Sequence, residues 1–543
     1  MTAALQRDTV ADTGAFTGAR RLLRLYLRLD RVRIAVWTLA LTFTVWSTVV
    51  SLDSVYPDAT ARQARAALLD NPAVVLMTGP AYGVDDYTLG AMTANELSLT
   101  VFVAVAIMSI LLVVRHTRAQ EEAGRLELLR ALPVGPFAPP AAALVSVAVA
   151  DLVVGAGITA ALVAAGLEAA GSVAFGVGAA LTGLVFGAVA AVTAQISEHS
   201  RAATGTALAV LALAFLIRGF GDIIDATGSW LSWLSPIAWA QQTRLYVDLR
   251  WWPLLLSVAA IVAQLVIAVA LSRRRDLGAG LRAPKPGPDR ASAALLSPPG
   301  PMWRLLRGSF LGWTVALALL GLAMGTLANS VQDMVSDVPD IVDWLGGDAD
   351  SLTASFGATI LLFLVVGVAA FAVSAVVRLH ADEVDGRLGL VIVTGTPRVS
   401  TFGWAVLVIA VQSVVALTII GAATGLGMAA AIGEPGWIGK MCGAALAYAP
   451  AVLLTFAIAV ALLGIVPRAV NLAWIPVVYA VFVAWFGDLL NLPAWARDLS
   501  PFGHVPLVPY EQVTATPLVV LGAVTVVLPV AGAVGFGRRD VTV

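Results

Sequence analysis

Long apolar runs alternate with short charged clusters along the whole chain. Each run is about 20 residues, the length a helix needs to cross a hydrocarbon core of about 30 Å. The runs fall at 34–52, 96–114, 139–165, 173–195, 202–218 and 253–272. A second set lies at 309–330, 356–377, 402–426, 440–466, 470–487 and 517–536. Because a lipid core offers no water to the backbone, such runs predict helices. The fold class expected is an all-α polytopic membrane protein with about 12 transmembrane helices.

Composition agrees with the pattern. The chain has 543 residues, 59% of them hydrophobic and 12% charged, where a soluble domain carries roughly 25% charge. The single cysteine, Cys442, has no partner for an intrachain disulfide. Segment 1–33 is polar and arginine-rich, with no short apolar core and cleavage site after it, so the first run is expected to remain in the protein. Lys285 and Lys440 are the only lysines beside many arginines, a bias that suggests a GC-rich bacterial genome. Most of the 33 basic residues lie in the clusters Arg7–Arg33, Arg115–Arg130, Arg201, Arg273–Arg307, Arg378–Arg398, Arg468 and Arg538–Arg539. Placing all of these inside satisfies the positive-inside rule, so the expected location is a bacterial cell membrane with both termini cytoplasmic.

The two sets of runs repeat each other in sequence. "RLDRVRIAVWTLAL" from Arg28 returns as "RLLRGSFLGWTVAL" from Arg304, and "GRLEL" at Gly124 returns as "GRLGL" at Gly386. "LSP" at Leu234 returns at Leu499, and "RRD" at Arg274 returns at Arg538. Four matches in the same order define two six-span halves, 34–276 and 304–543, joined by a Pro/Gly/Ser-rich linker at 277–303. With six spans each, the halves enter the membrane in the same direction, which makes them parallel repeats.

The clusters after the second span of each half hold the most informative charges. In "RHTRAQEEAGRLELLRALPVG", from Arg115, Glu121 precedes Arg125 by four residues and Glu127 precedes Arg130 by three, pairings that suit a solvated helical face. Leu126, Leu129 and Leu132 fall near the opposite side, and Pro133 closes the helix. The expected element is one amphipathic helix over 116–133, with a counterpart over 379–397. A helix of this kind can lie on lipid headgroups. Two copies, each with acidic residues that an anionic leaflet repels, favour a protein partner. Arg20, Arg24, Arg28 and Arg31 also recur at helical spacing, with Leu22, Leu25 and Leu29 largely opposite, which predicts a basic amphipathic helix within 1–33 in the membrane interface.

An acidic pair, then GRLE, LL and a proline-valine corner after the second span, resembles the coupling segment of ABC-2-type exporter permeases, also called type V ABC exporters. Over its whole length the chain is similar to actinobacterial permeases of the tetronasin or polyketide-antibiotic exporter type. The resemblance implies that Glu121, Glu122, Gly124, Arg125 and Glu127, with Glu383, Asp385, Gly386 and Arg387, dock on a separate nucleotide-binding subunit. It implies two copies of that subunit, which hold ATP and Mg, and no cofactor or catalytic residue in this chain. Arg20, Arg24, Arg28 and Arg31 become the elbow helix. The outer segments "DIIDATGSWLSWLSPIAWAQQTRLYVDLRWW" and "DLLNLPAWARDLSPFGHVPLVPYEQV" become lids over the pathway, although tryptophans there also suit an aromatic belt. Phe102, Phe215, Phe363 and Trp474 become candidates for lining the pathway of a hydrophobic or amphipathic substrate. The second copy departs from the pattern, with Leu390 after Gly389 and Arg398 after Pro397.

Other features carry less. "GEPGWIGKM" from Gly433 has the wrong glycine spacing for a phosphate-binding loop, and the four histidines and one cysteine are too scattered for a metal site. No nucleophile and base arrangement suggests an enzyme, and no nucleic acid is expected as a partner. Asp151 falls mid-span, where a carboxylate normally faces a partner or a cavity. Gln264 and Gln412 are expected to form interhelical hydrogen bonds. Glu96 starts the second span and is open to solvent or a cation. Two other classes remain beside the exporter: a proton-driven transporter of the major facilitator type, and a membrane scaffold or sensor subunit.

Overall fold

The computed structural model describes residues 14–66, 69, 74–75, 78–225, 227–276, 278–281, 289–329, 349–387, 397–486, 493–512 and 514–539. Among them there are helices and turns and no strand. The chain divides into two compact units, Met1–Pro286 and Gly287–Val543. Twelve described helices are long and apolar enough to cross a membrane, and the protein is an all-α polytopic membrane protein.

Unit 1 is built from α1 (Ala19–Val55), α2 (Leu89–His116), α3 (Ala138–Ala164), α4 (Ala169–Ile196), α5 (Ser200–Ile224) and α6 (Pro253–Ser272). The helices α2 and α4 form its centre and are buried nearly all round, including Phe102, Phe175 and Phe186. The helices α1 and α6 expose most of their apolar surface, as a lipid-facing helix does. Small residues set the closest approach: a Cβ on Gly155 of α3 would stand 2.5 Å from the Gly176 carbonyl oxygen of α4. Membrane helices gain their association from such contact, because lipid tails are as apolar as leucine.

Two expectations of extent need correction. The basic segment is not a separate elbow: α1 runs unbroken for 37 residues, about 55 Å at the usual 1.5 Å rise. No glycine or proline interrupts it between Ala19 and Val55, so nothing in the chain breaks the helix where the apolar run begins. The second helix starts at Leu89 rather than 96, because the Thr88 hydroxyl accepts the Ala91 amide at 3.2 Å and caps it.

Unit 2 comprises α7 (Gly300–Gly325), α8 (Ala349–Val384), α9 (Arg398–Ile432), α10 (Gly436–Ala447), α11 (Ala449–Ile465), α12 (Trp474–Phe486) and α13 (Ala515–Arg538). The run expected at 440–466 is two helices, α10 and α11, which meet at Tyr448 with Pro450 in the first turn of the second. Proline is tolerated there because its missing N–H has no intrahelical acceptor to lose. A core of Phe371, Phe456, Tyr448 and Leu361 fills the unit, and Trp474 packs half-buried against it.

Candidate functional site

The charged segment after α2 is two short helices, Arg118–Glu122 and Arg125–Arg130, rather than one. Gly124 separates them at φ +68°, a left-handed conformation that glycine adopts without penalty. Its amide bonds the Glu121 carbonyl at 3.0 Å and closes the first helix. The break removes the expected pairing of Glu121 with Arg125. Glu121 instead turns inward and is buried. Its Oε1 accepts Arg275 Nη1 at 2.5 Å and the Gly278 amide at 2.8 Å, and its Oε2 accepts Arg275 Nη2 at 2.9 Å. Arg118 Nη1 lies 2.9 Å from Oε2.

Arg118 is itself enclosed and donates to the carbonyls of Glu198, Gly278 and Ala279 at 2.7, 3.1 and 3.2 Å. Arg275 also donates to Gln195 Oε1 at 2.8 Å. Glu122 accepts the Ser200 amide at 3.0 Å and its hydroxyl at 2.5 Å, which caps α5. The segment after α2 is thereby stapled to the end of α4, the start of α5 and the chain that leaves α6. What remains exposed is the outer side of the second short helix: Arg125, Glu127, Leu128, Arg130 and Leu132, with Leu128 73% exposed. The expected Glu127–Arg130 pair is absent among the described ion pairs. Leu129 packs inward against Leu22 and Tyr26 of α1.

Unit 2 repeats the main staple. Glu383, at the equivalent position, is buried and accepts Arg539 Nη2 at 2.7 Å. Arg275 and Arg539 are the second residues of the two "RRD" strings. His380 takes the place of Arg118, 3.8 Å from Glu383, and Gly386 repeats the break at φ +74°. Arg387 differs from Arg125, because it bonds Asp382 at 2.6 Å and Asp385 at 2.9 Å. The rest of the second expected helix, 388–396, lies outside the described residues.

On α1, Arg20, Arg24, Arg28 and Arg31 are all exposed, and the opposite face buries Leu22, Tyr26 and Asp30. Asp30 contacts His116 at the end of α2, whose ring stacks on Tyr26 with centroids 4.4 Å apart. That cluster escaped the sequence reading, because its parts lie on separate helices.

The end of unit 1 opposite the staple is a polar plug. Tyr82 Oη lies 2.5 Å from the Thr227 carbonyl and 2.6 Å from Gln242 Oε1. Burial pushes the Tyr82 hydroxyl up to about 12. Gln241 donates to the Thr78 carbonyl at 3.1 Å and to Ser98 Oγ at 3.0 Å. A buried pair, Arg218 and Asp222 at 3.1 Å, anchors Ser232, whose hydroxyl donates to Asp222 at 2.6 Å. Ser235 of the first "LSP" donates to the Ala214 carbonyl at 2.7 Å, and Pro236 opens a short helix. Ser500 and Pro501 repeat the burial and the helical turn in unit 2. The glutamines thus face inward while Trp230, Trp251 and Trp252 stay exposed, so the plug and the exposed tryptophans are different residues of one segment.

The remaining expected residues are placed as follows. Phe102 is fully buried, its ring 5.4 Å from that of Phe175, and is committed to packing. Phe215 lies under the Arg218 guanidinium, 5.4 Å away, and Phe363 is partly exposed on α8. Asp151 Oδ1 accepts Ser109 Oγ at 2.6 Å in a site without solvent. The interhelical bonds expected of Gln412 and of the Gln264 carbonyl are not formed to any described residue. Glu96 is paired with Arg65 at 2.5 Å.

Two compact units of apolar helices, each with one buried glutamate–arginine staple, make a polytopic helical membrane protein. Residues 295–537 match the family described as "Multidrug efflux system permease Rv1217c, C-terminal domain". Over 536 residues the chain is 40% identical to the multidrug efflux system permease protein Rv1217c of Mycobacterium tuberculosis, covering 97% of this chain and 96% of that protein. The chain belongs to this family of efflux system permeases.

Proposed function

We propose that this chain is the membrane permease of an ATP-driven ABC exporter of the ABC-2, type V kind. The observation that carries the reading is the duplicated staple, Glu121–Arg275 and Glu383–Arg539. A push on the exposed helix Arg125–Arg130 reaches α2 directly and α5 and α6 through Glu122 and Glu121. Two copies of a separate nucleotide-binding subunit, holding ATP and Mg, deliver that push, one to each unit. The docking face is the solvent side of the second short helix, centred on Leu128 and Leu132 and flanked by Arg125, Glu127 and Arg130. Glu121 and Glu383 act behind it as positioning residues, a change from the roles implied by resemblance alone. In this reading, this end and both termini lie in the cytoplasm of a bacterial cell, the side on which basic clusters are favoured. The name of the relative supports multidrug or antibiotic efflux, with hydrophobic or amphipathic substrates.

The test is co-purification of the full chain with its candidate ABC ATPase, comparing wild type with Leu128→Glu and Glu127→Arg. Release of the ATPase by both variants, with unchanged elution of the permease, supports the reading. Full retention by both, or drug efflux that follows the proton gradient with no ATPase bound, overturns it in favour of a secondary transporter.

A further inference from the structure

Between α1 and α2 of unit 1 lies a groove of about 420 Å³. Val36, Trp37, Leu111 and Leu112 form apolar walls, and Arg33 and Arg115 stand at its polar end. Because the two helices run in opposite directions, the arginines share one level and Trp37 and Leu111 the next, about 6 Å deeper at 1.5 Å per residue. Val36 is 60% exposed and Leu111 44%, so the groove is open along its apolar side.

The charges at the polar end do not balance. Asp30 supplies one carboxylate, which contacts His116, Arg115 Nε at 3.3 Å and Arg33 Nη1 at 3.5 Å. Two permanent guanidinium charges therefore face a single carboxylate, and both arginine side chains keep exposed surface toward the groove mouth, 49% for Arg33 and 39% for Arg115. Tyr26 closes the far side by stacking on His116 and adds no charge. Excess cation at the edge of hydrocarbon is costly unless an anion joins it. Apolar walls below two guanidinium groups match a phosphate above an acyl chain, and basic pockets between membrane helices recognise anionic lipid headgroups for this reason.

We propose that this groove binds an anionic phospholipid, its phosphate held by Arg33 and Arg115 and its upper acyl chain laid along Val36, Trp37 and Leu111. The site belongs to the permease alone and does not depend on any ATPase partner.

The test uses the full chain in mixed vesicles, with Trp37 as reporter. Emission is quenched with brominated phosphatidylglycerol or brominated phosphatidylcholine, and a Trp37→Phe variant is subtracted to remove the other tryptophans. Phosphatidylglycerol is expected to reach half-quenching at a mole fraction lower by roughly five-fold or more, the scale of one basic side chain against an anionic surface. Arg33→Gln with Arg115→Gln is expected to abolish the preference. Val36→Phe, which fills the groove and leaves both arginines, is expected to reduce it. Equal quenching by the two lipids in wild type, or a preference unchanged in either variant, overturns the proposal. Saturation by dodecyl phosphate without any phosphatidylglycerol preference also overturns it, and assigns the groove to single-chain anions.

Discussion

Glu121 grips Arg275 through both carboxylate oxygens, at 2.5 and 2.9 Å, across 154 residues of chain. Arg275 belongs to the chain leaving the last helix of its unit, and Glu121 to the short helix that follows the second. Glu383 and Arg539 repeat the contact in unit 2 across 156 residues. A double-mutant cycle with Glu121→Gln and Arg275→Met is expected to show a coupling energy of about 1–3 kcal/mol in thermal unfolding of the solubilised protein. The same cycle at Glu383 and Arg539 is expected to give a coupling of the same sign. Additive losses at both pairs would remove the staple from the account.

Gly124 and Gly386 both hold the left-handed conformation, and a Cβ at either position would meet nothing within 4 Å. Substitution by alanine therefore costs backbone energy only, about 1–2 kcal/mol. Asparagine, which visits this region more readily, is expected to cost less than alanine. Equal stability of Gly124→Ala and wild type in a thermal melt would show that the two short helices merge without penalty.

Gly183 faces the Asp151–Ser109 bond. A Cβ there would stand 2.8 Å from Asp151 Oδ1, Ser109 Oγ and Val105 Cγ1 alike. Ser109→Ala leaves the buried carboxyl without its one described donor and is expected to cost about 1–3 kcal/mol. Gly183→Ala is expected to cost more, because it adds overlap to the broken bond. The reverse order in chemical unfolding would refute the packing described for α2, α3 and α4.

Tyr82 is expected to make the polar plug sensitive to alkali. Its hydroxyl is raised from 10.0 to about 12 by burial. Between those values the unfolded chain has lost a proton that the folded chain retains, so stability falls as pH rises through this window, by up to about 1.4 kcal/mol per pH unit. Below pH 10 the term is constant. Melting temperature against pH is expected to fall less steeply above pH 10 in Tyr82→Phe than in wild type. Parallel curves would mean that the hydroxyl is not enclosed by Thr227 and Gln242.

The sequence showed much of the site's periphery but little of its centre. The exposed arginines of α1 and the return of Gly124 as Gly386 were legible, since helical spacing and a repeated string are local signals, but the break that each glycine makes was not, and one continuous helix was expected there. The "RRD" repeat was visible as a string, and its meaning was not, because nothing in one dimension says which acid its second arginine meets. Phe102 illustrates the converse: an aromatic residue in a span carries no mark of its packing, and its burial against Phe175 shows only in three dimensions. The polar plug was hidden for the same reason, its tryptophans drawing notice while Gln241 and Gln242 formed the bonds.

By itself the sequence determined the helical class, the twelve apolar runs and the two-fold repeat. Each is a sum over neighbouring residues, since partition into lipid depends on about 20 consecutive side chains and the backbone must satisfy its own hydrogen bonds there. Only the tertiary structure decided where Glu121 spends its charge. Arg125 stands four residues away and Arg275 154 residues away, and spacing favours the first. The turn at Gly124 swings Arg125 out of reach, and the end of α6 brings Arg275 to the carboxylate beside Arg118 and the Gly278 amide. An ion pair depends on distance through space and on what shields it from water, and neither quantity is written in the order of residues.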